Sequence, residues 1–514
     1  MALSAELTRR GHDVTVCSGI EDDVFGQKSS LWEDDAHPHV QFIPSFDHKE
    51  MMKRLMVVLD VDSDPHGSSA TEIDLFMKWG EMHDFQVGKQ LLEFMKVYYR
   101  YSFPSIDKLL KETGDCYDLV VMDYLSTAAI DAARLNNVPF IVNCPALRFP
   151  HRSTTCSTYN LLGFELPLRK PFDRFVNHFL ISSGIIQLFF REMINVRKEF
   201  GLPKRIWNYY PSETTLDNPC LFNTVIGVSE VAQYEPPHNY HIGALLPKIQ
   251  RDNDENSDIG IGVTESYNNL SSDLRRWFEQ IPDGKDVIFI NFGTTGAFQQ
   301  WKWKVMVDAL EAMPKKNRPF ALWRMSQKQQ DVLRIDHSSL PNNIRLSSWI
   351  DPNQQAVMSH PKVKVFVTHA GINSPQEGLA CGLPLLMVPT FGDQPGHAAR
   401  LASHGLGRTM GKARFTTETL VEALSDLLCN QEYYARNVRK ARALLQQAGG
   451  TDTAADIVEN VLEFGYSHLV PSDRKLPDWQ KKWNLDIWFG YAILASVLAI
   501  CSHGIFVFAG TLLY

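Results

Sequence analysis

Residues 366–395 read FVTHAGINSPQEGLACGLPLLMVPTFGDQP. The opening apolar run predicts a buried strand ending at Thr368, with His369 at its carboxyl edge. Gly371 permits a tight turn, and Ser374-Pro375-Gln376-Glu377 is expected to start a helix, with Ser374 as N-cap, Pro375 at N1 and Glu377 at N3. LPLLMVP (383–389) is a second strand, and GDQP (392–395) a loop before a helix over 394–405. A helix start at a strand end offers unpaired N–H groups and a positive dipole end, which suit a phosphate.

The same alternation extends outward. VIFINFG (287–293), PFALWRM (319–325), NIRLSSWI (343–350) and KVKVFVTHAG (362–371) read as strands. Helices are expected at 300–313, 374–381, 416–429 and 431–447. Strands alternating with helices of this length predict a parallel, doubly wound sheet. Toward the N-terminus, DLVVMDYL (118–125), STAAIDAARLNN (126–137) and VPFIVNCPA (138–146) form a βαβ unit, and 150–215 suggests irregular helices. The polar stretch 246–272 reads as a linker between an N-terminal domain, 1–245, and a C-terminal domain, 273–465. Two such α/β units imply a cleft, with ligands at the carboxyl ends of the strands. The loop NFGTTG (291–296) follows the C-terminal domain's first strand and supplies glycine and hydroxyls for phosphate oxygens.

Composition narrows the function classes. The chain has 514 residues, 44% apolar and 21% charged, so it is neither disordered nor fibrous. Its formal charge is 51 − 59 = −8, which excludes a general nucleic-acid binder. Eight cysteines without a C-x-x-C pair argue against a disulfide scaffold or a structural zinc site. From Ile487 to Tyr514 there is no Asp, Glu, Lys or Arg. As a helix those 28 residues reach roughly 42 Å, enough to cross a bilayer core of about 30 Å. A transmembrane helix is expected over 487–513, with Trp483, Trp488, Tyr491 and Tyr514 at its edges.

Taken together, Trp349, Pro352, His369-Ala370-Gly371-Ile372-Asn373-Ser374, Glu377, Gly382, Pro384, Pro389 and Asp393-Gln394 resemble the donor-binding signature of UDP-dependent glycosyltransferases of the UDP-glucosyl/glucuronosyltransferase type. ELTRRGHDVTV and YDLVVMD resemble further segments of that family. The resemblance implies a GT-B fold: two Rossmann-like, doubly wound domains facing a cleft, the C-terminal one holding a UDP-sugar and the N-terminal one a lipophilic acceptor. It implies that Trp349 stacks on uracil and that Glu377 binds the ribose hydroxyls. His369, Gly371, Asn373, Ser374 and Thr294 would hold the diphosphate, and Asp393 and Gln394 the sugar hydroxyls. The run Trp349-Ile350-Asp351-Pro352-Asn353-Gln354 is longer than the family's, so either Asn353 or Gln354 takes the place of its glutamine.

The implied reaction is an inverting, metal-independent transfer of a sugar from UDP to a hydroxyl of a small lipophilic acceptor at a membrane. UDP-sugar is the donor substrate, and no cofactor is implied. The family's general base is a histidine after the first strand, oriented by an aspartate. Asp123 matches the aspartate, but no histidine matches the base, and His12 reads as a turn residue. The helix 2–10 has nothing before it to pack against and is expected to pack poorly, as though a segment carrying a strand, the base and a leader were missing. The alternative is a non-catalytic UDP-sugar-binding homologue. Arg474, Lys475, Lys481 and Lys482 precede the apolar run and place the body in the cytosol by the positive-inside rule. The animal family members imply the endoplasmic reticulum lumen, the only side on which the sequon Asn269-Leu270-Ser271 is usable.

Overall fold

A computed structural model describes residues 2–18, 40–44, 47–59, 84–113, 117–145, 185–204, 217–232, 235–246, 269–293, 299–350, 354–411, 414–475, 477–481 and 485–512, with a few isolated positions between them. Twelve strands are described. In the N-terminal half, β1 (Val14–Ser18) pairs in parallel with β2 (Val40–Pro44). A separate parallel sheet runs β3-β4-β5-β6, formed by Val120–Asp123, Phe140–Cys144, Cys220–Phe222 and Asn239–His241. In the C-terminal half a single six-stranded sheet has the order β12-β11-β10-β7-β8-β9. Its strands are β7 (Val287–Asn291), β8 (Phe320–Arg324), β9 (Ile344–Ser347), β10 (Val363–Thr368), β11 (Leu385–Met387) and β12 (Gly407–Thr409). All its pairings are parallel.

The apolar runs have a simple physical cause. Val287 and Phe289 enter one core layer, while Ile288 and Ile290 enter the layer on the opposite face. Both faces of the strand are covered, so no position is left for a polar residue until the strand ends at Asn291. The expected helices form at Gln300–Ala312, Asn373–Ala380, Gln394–Ser403, Thr417–Cys429 and Gln431–Ala448. Long helices at Asp84–Thr113 and Ile185–Glu199 cover the four-stranded sheet. Most of the irregular stretch expected over 150–215 lies outside the described residues.

Two features differ from the sequence expectation. The first helix, Ala2–Arg9, is well packed. Leu3 and Leu7 are buried with Ile141 and Leu221 of the N-terminal sheet and with Ala454, Ile457, Val458 and Val461. Those last residues belong to Gly450–Phe464, a helix that leaves the C-terminal half and docks on the N-terminal one. Arg10 clamps the contact through Glu6, Asp456 and Glu459. Second, the chain dips across between β5 and β6: Val225 and Val228 are buried in the core of the C-terminal half. The apolar C-terminal run forms a helix, Leu485–Leu512, and its described part, Leu485–His503, is wholly exposed and long and apolar enough to cross a membrane.

Candidate functional site

His369 follows the last residue of β10 and is 8% exposed. Two glycines make room for it. A Cβ at Gly371 would stand 2.5 Å from its Nε2, and one at Gly293, where φ is +67°, would stand 2.9 Å from its Cε1. Burial pushes its pKa down to about 4, so the ring is neutral at physiological pH. It is therefore a hydrogen-bonding group and not a cation, and its Nδ1 has no partner among the described residues. Ala370 takes the left-handed conformation, φ +64°, costing on the order of 1 kcal/mol. Its carbonyl accepts from Nδ1 of the fully buried His397 at 3.0 Å, which fixes the turn.

The helix after this turn starts two residues earlier than the capping pattern predicts. Its N-cap is Ile372, which makes no side-chain cap, so Asn373 and Ser374 lie in the first turn. The capping box expected from Ser374 and Glu377 does not form, because Ser374 is already helical. The hydroxyl and the first-turn N–H groups therefore stand at the same helix end.

Glu377 is tied instead into a relay. Gln354 Nε2 donates to Glu377 Oε2 at 2.5 Å, and Asn291 Nδ2 donates to Gln354 Oε1 at 2.6 Å. Asn291 Oδ1 then accepts from the Gly293 backbone N–H at 2.9 Å. One chain of hydrogen bonds thus joins the carboxylate to the loop after β7. Burial pushes the Glu377 carboxyl up to about 7, with Gln354 opposing. Of the two alternatives at the longer turn, Gln354 reaches this relay, while Asn353 lies outside the described residues, as does Thr294. Trp349 is 54% exposed beyond β9, and its carbonyl accepts from the Ser347 hydroxyl.

At the second loop, Asp393 occupies the N-cap position of Gln394–Ser403 without making a side-chain cap. Gln394 is buried, and its Oε1 accepts from Thr390 N at 2.9 Å and Thr390 Oγ1 at 2.7 Å. Its carbonyl is spent on bracing the loop, so the side chain can offer only its NH₂ donors to a ligand. In the N-terminal half, Asp123 ends β3 and is exposed, its Oδ1 accepting from Leu125 N at 2.8 Å. Surrounding protein raises its pKa by desolvation. His12 is bonded to Glu459 at 3.1 Å, a docking contact between chain ends.

Sequence reasoning missed Asn291, Gln376 and Arg400. Asn291 carried a faint signal as the polar residue that closes an apolar strand. Gln376 Nε2 donates to the Asn223 carbonyl at 2.5 Å, and Arg400 pairs with Glu230 at 2.9 Å while also donating to the Ser229 carbonyl. Both bonds join the helices bearing Glu377 and Gln394 to the segment 223–230, and no sequence spacing announces them.

Residues 259–511 match the family described as "UDP-glucoronosyl and UDP-glucosyl transferase". A UDP-glucuronosyltransferase of Pleuronectes platessa is 28% identical over 46% of this chain. UDP-glucuronosyltransferase 2A3 of Pongo abelii is 29% identical over 80% of it. The chain spans about half the length of the plaice relative, 48%, and 72% of that from Pongo. Among solved structures, the glycotransferase of kitacinnamycin superposes with a TM-score of 0.56 at 18% identity, covering 90% of this chain and 94% of that one. Os79 from O. sativa in complex with UDP gives 0.55 at 16% identity, covering 91% and 96%. These share the two-domain GT-B fold with this chain, whose residues 259–511 match the UDP-glucuronosyl and UDP-glucosyl transferase family.

Proposed function

We propose that the protein transfers a sugar from a UDP-sugar to a hydroxyl of a small lipophilic acceptor, with inversion and without a metal. The observation that carries this reading is the relay Glu377–Gln354–Asn291–Gly293 beside His369. A carboxylate held by an amide is a good acceptor for paired ribose hydroxyls. The helix end at Asn373 and Ser374 and the neutral His369 supply fixed dipoles for the diphosphate, whose charge grows as the sugar leaves. Trp349 offers an open aromatic face to the base, and Asp393 with the Gln394 amide offers acceptors and donors to the sugar hydroxyls.

On the acceptor side, Asp123 is the exposed carboxylate at a strand end, placed to orient a base or to take the hydroxyl proton itself. The helix Leu485–Leu512 would anchor the enzyme as a single span, bringing it to acceptors dissolved in the bilayer.

The test is UDP release from UDP-glucose and UDP-glucuronic acid, with and without a panel of lipophilic phenols and with excess EDTA. Acceptor-dependent release that survives EDTA is expected. UDP binding without acceptor-dependent turnover would favour the non-catalytic alternative. Deleting residues 484–514 should move the protein from the membrane fraction to the soluble one.

A further inference from the structure

Arg324 ends β8, in register with Asn291 of β7 on one side and Ser347 of β9 on the other. Side chains alternate between faces along a strand. Phe289 and Leu322 pack in the layer under the helix that carries Glu377, while Trp323 packs in the opposite layer. Asn291 and Arg324 therefore lie on the Glu377 side of the sheet. They form a row at its carboxyl edge: Asn291 reaches toward Gln354 and Glu377, and Ser347 is bonded to Trp349.

Within that row Arg324 stands out. It is half-buried, yet among the described residues it has no hydrogen bond, ion pair or ring contact. Desolvation alone perturbs it, lowering its pKa, with no acidic neighbour opposing. Glu377 nearby is likewise half-buried and perturbed by desolvation, with no cation among its described partners. An arginine fork removed from water without an acceptor is costly unless something else supplies one. Among the described residues the fold thus keeps a guanidinium without an acceptor and a carboxylate without a cation in one site, the first needing acceptor oxygens and the second able to take further hydroxyl donors.

We propose that Arg324 is a binding residue for the nucleotide half of the donor, its guanidinium donating to nucleotide acceptor oxygens between Trp349 and Glu377. This rests on the donor-site reading above. Two oxygen sources fit the same chemistry, the carbonyl edge of the base and the α-phosphate.

The test is calorimetry of the full chain in detergent with UDP and with uridine, comparing Arg324→Gln, Arg324→Lys and Trp349→Ala. Losing a charge-assisted bond should weaken UDP about 10- to 100-fold in Arg324→Gln. Arg324→Lys, which keeps the charge without the fork, should lose less. An equal loss for uridine places the contact on the base, and a loss confined to UDP places it on the phosphate; either supports the inference. The ligand-free Arg324→Gln protein should melt no lower than the parent, because an uncompensated cation has been removed. If that variant does not fold, the lysine variant decides: UDP affinity within twofold of the parent overturns the inference. Unchanged UDP affinity in Arg324→Gln, alongside a loss in Trp349→Ala, overturns the role of Arg324 and leaves the donor site standing. No UDP binding by the parent overturns both.

Discussion

The two halves of the chain solve the same folding problem with different materials. The C-terminal half builds one continuous six-stranded sheet whose central strands are covered on both faces. The described N-terminal half holds a two-stranded and a four-stranded sheet, and part of their cover comes from elsewhere in the sequence. The helix Gly450–Phe464 lies some 200 residues downstream in numbering of the sheet it covers, and it buries the first helix of the chain. The comparison teaches that the C-terminal half borrows a short strap around Val225 and Val228, whereas the N-terminal half borrows a whole helix. The following experiments bear on that asymmetry, beginning with the largest effect.

Arg400 and Glu230 form an ion pair with side chains 2% and 0% exposed, joining the halves. Arg400→Met strands a buried carboxylate and should cost about 3–5 kcal/mol, read by urea unfolding. The double variant Arg400→Met/Glu230→Met should recover most of that loss, because both desolvation costs disappear together. A double variant as unstable as the single one would show that packing, and not charge, holds the seam.

Glu377 gives the next effect. Its folded carboxyl, at about 7, lies above its ordinary value of 4.5. The stability it permits is therefore complete below pH 4.5 and is lost as the pH rises through about 7. Glu377→Gln should flatten this slope and stabilise the ligand-free protein at pH 8 by on the order of 2–3 kcal/mol. The same change should weaken UDP. Parallel melting curves of parent and variant from pH 5 to 8.5 would overturn the assignment.

Leu7→Ala tests the dependence of the N-terminal half on its returned helix. Leu7 is 8% exposed, and truncation should cost about 2 kcal/mol. Amide exchange should speed up in 450–464 more than in β7 or β10. Uniform acceleration would mean that the halves unfold as one unit.

The finest contrast lies within the donor site. Trp349→Ala should weaken UDP and UDP-glucose alike, by about 1–3 kcal/mol if stacking resembles that on single strands. Asp393→Ala should weaken UDP-glucose by about 1.5–3 kcal/mol while sparing UDP. Calorimetry with both ligands separates them, and equal losses in Asp393→Ala would remove it from the sugar.

Legibility followed burial. VIFI and VFV are readable because a strand covered on both faces is apolar, and Lys364 stands near the start of its strand, where cover is incomplete. The gathering of His369, Glu377 and Gln394 near strand ends is readable because the apolar runs before them fix where the strands stop. The Asn373–Ala380 helix starts two residues before the place its Ser374 cap predicts, since a turn through the left-handed Ala370 supplies the entry that a Ser374 cap would otherwise give. The docking of Gly450–Phe464 on the first helix was not legible. An amphipathic helix announces that it has a partner but not which one. The unpaired Arg324 was equally hidden, because the absence of a neighbour is a property of three dimensions.

The segment 223–230 has a mechanical meaning. It leaves the N-terminal sheet after β5, buries Val225 and Val228 in the other half's core, is gripped there by Gln376 and Arg400, and returns to form β6. A second strap lies close by, where Gly450 N donates to the Ile242 carbonyl and Thr451 to that of Leu246. Sliding the halves past one another would uncover the Arg400–Glu230 charges, whereas rotation about the seam keeps them covered. The joint therefore resembles a door hung on its stitching, fastened where both straps cross between the halves. A protease cut anywhere in 247–268 would still leave both halves hung on the same hinge.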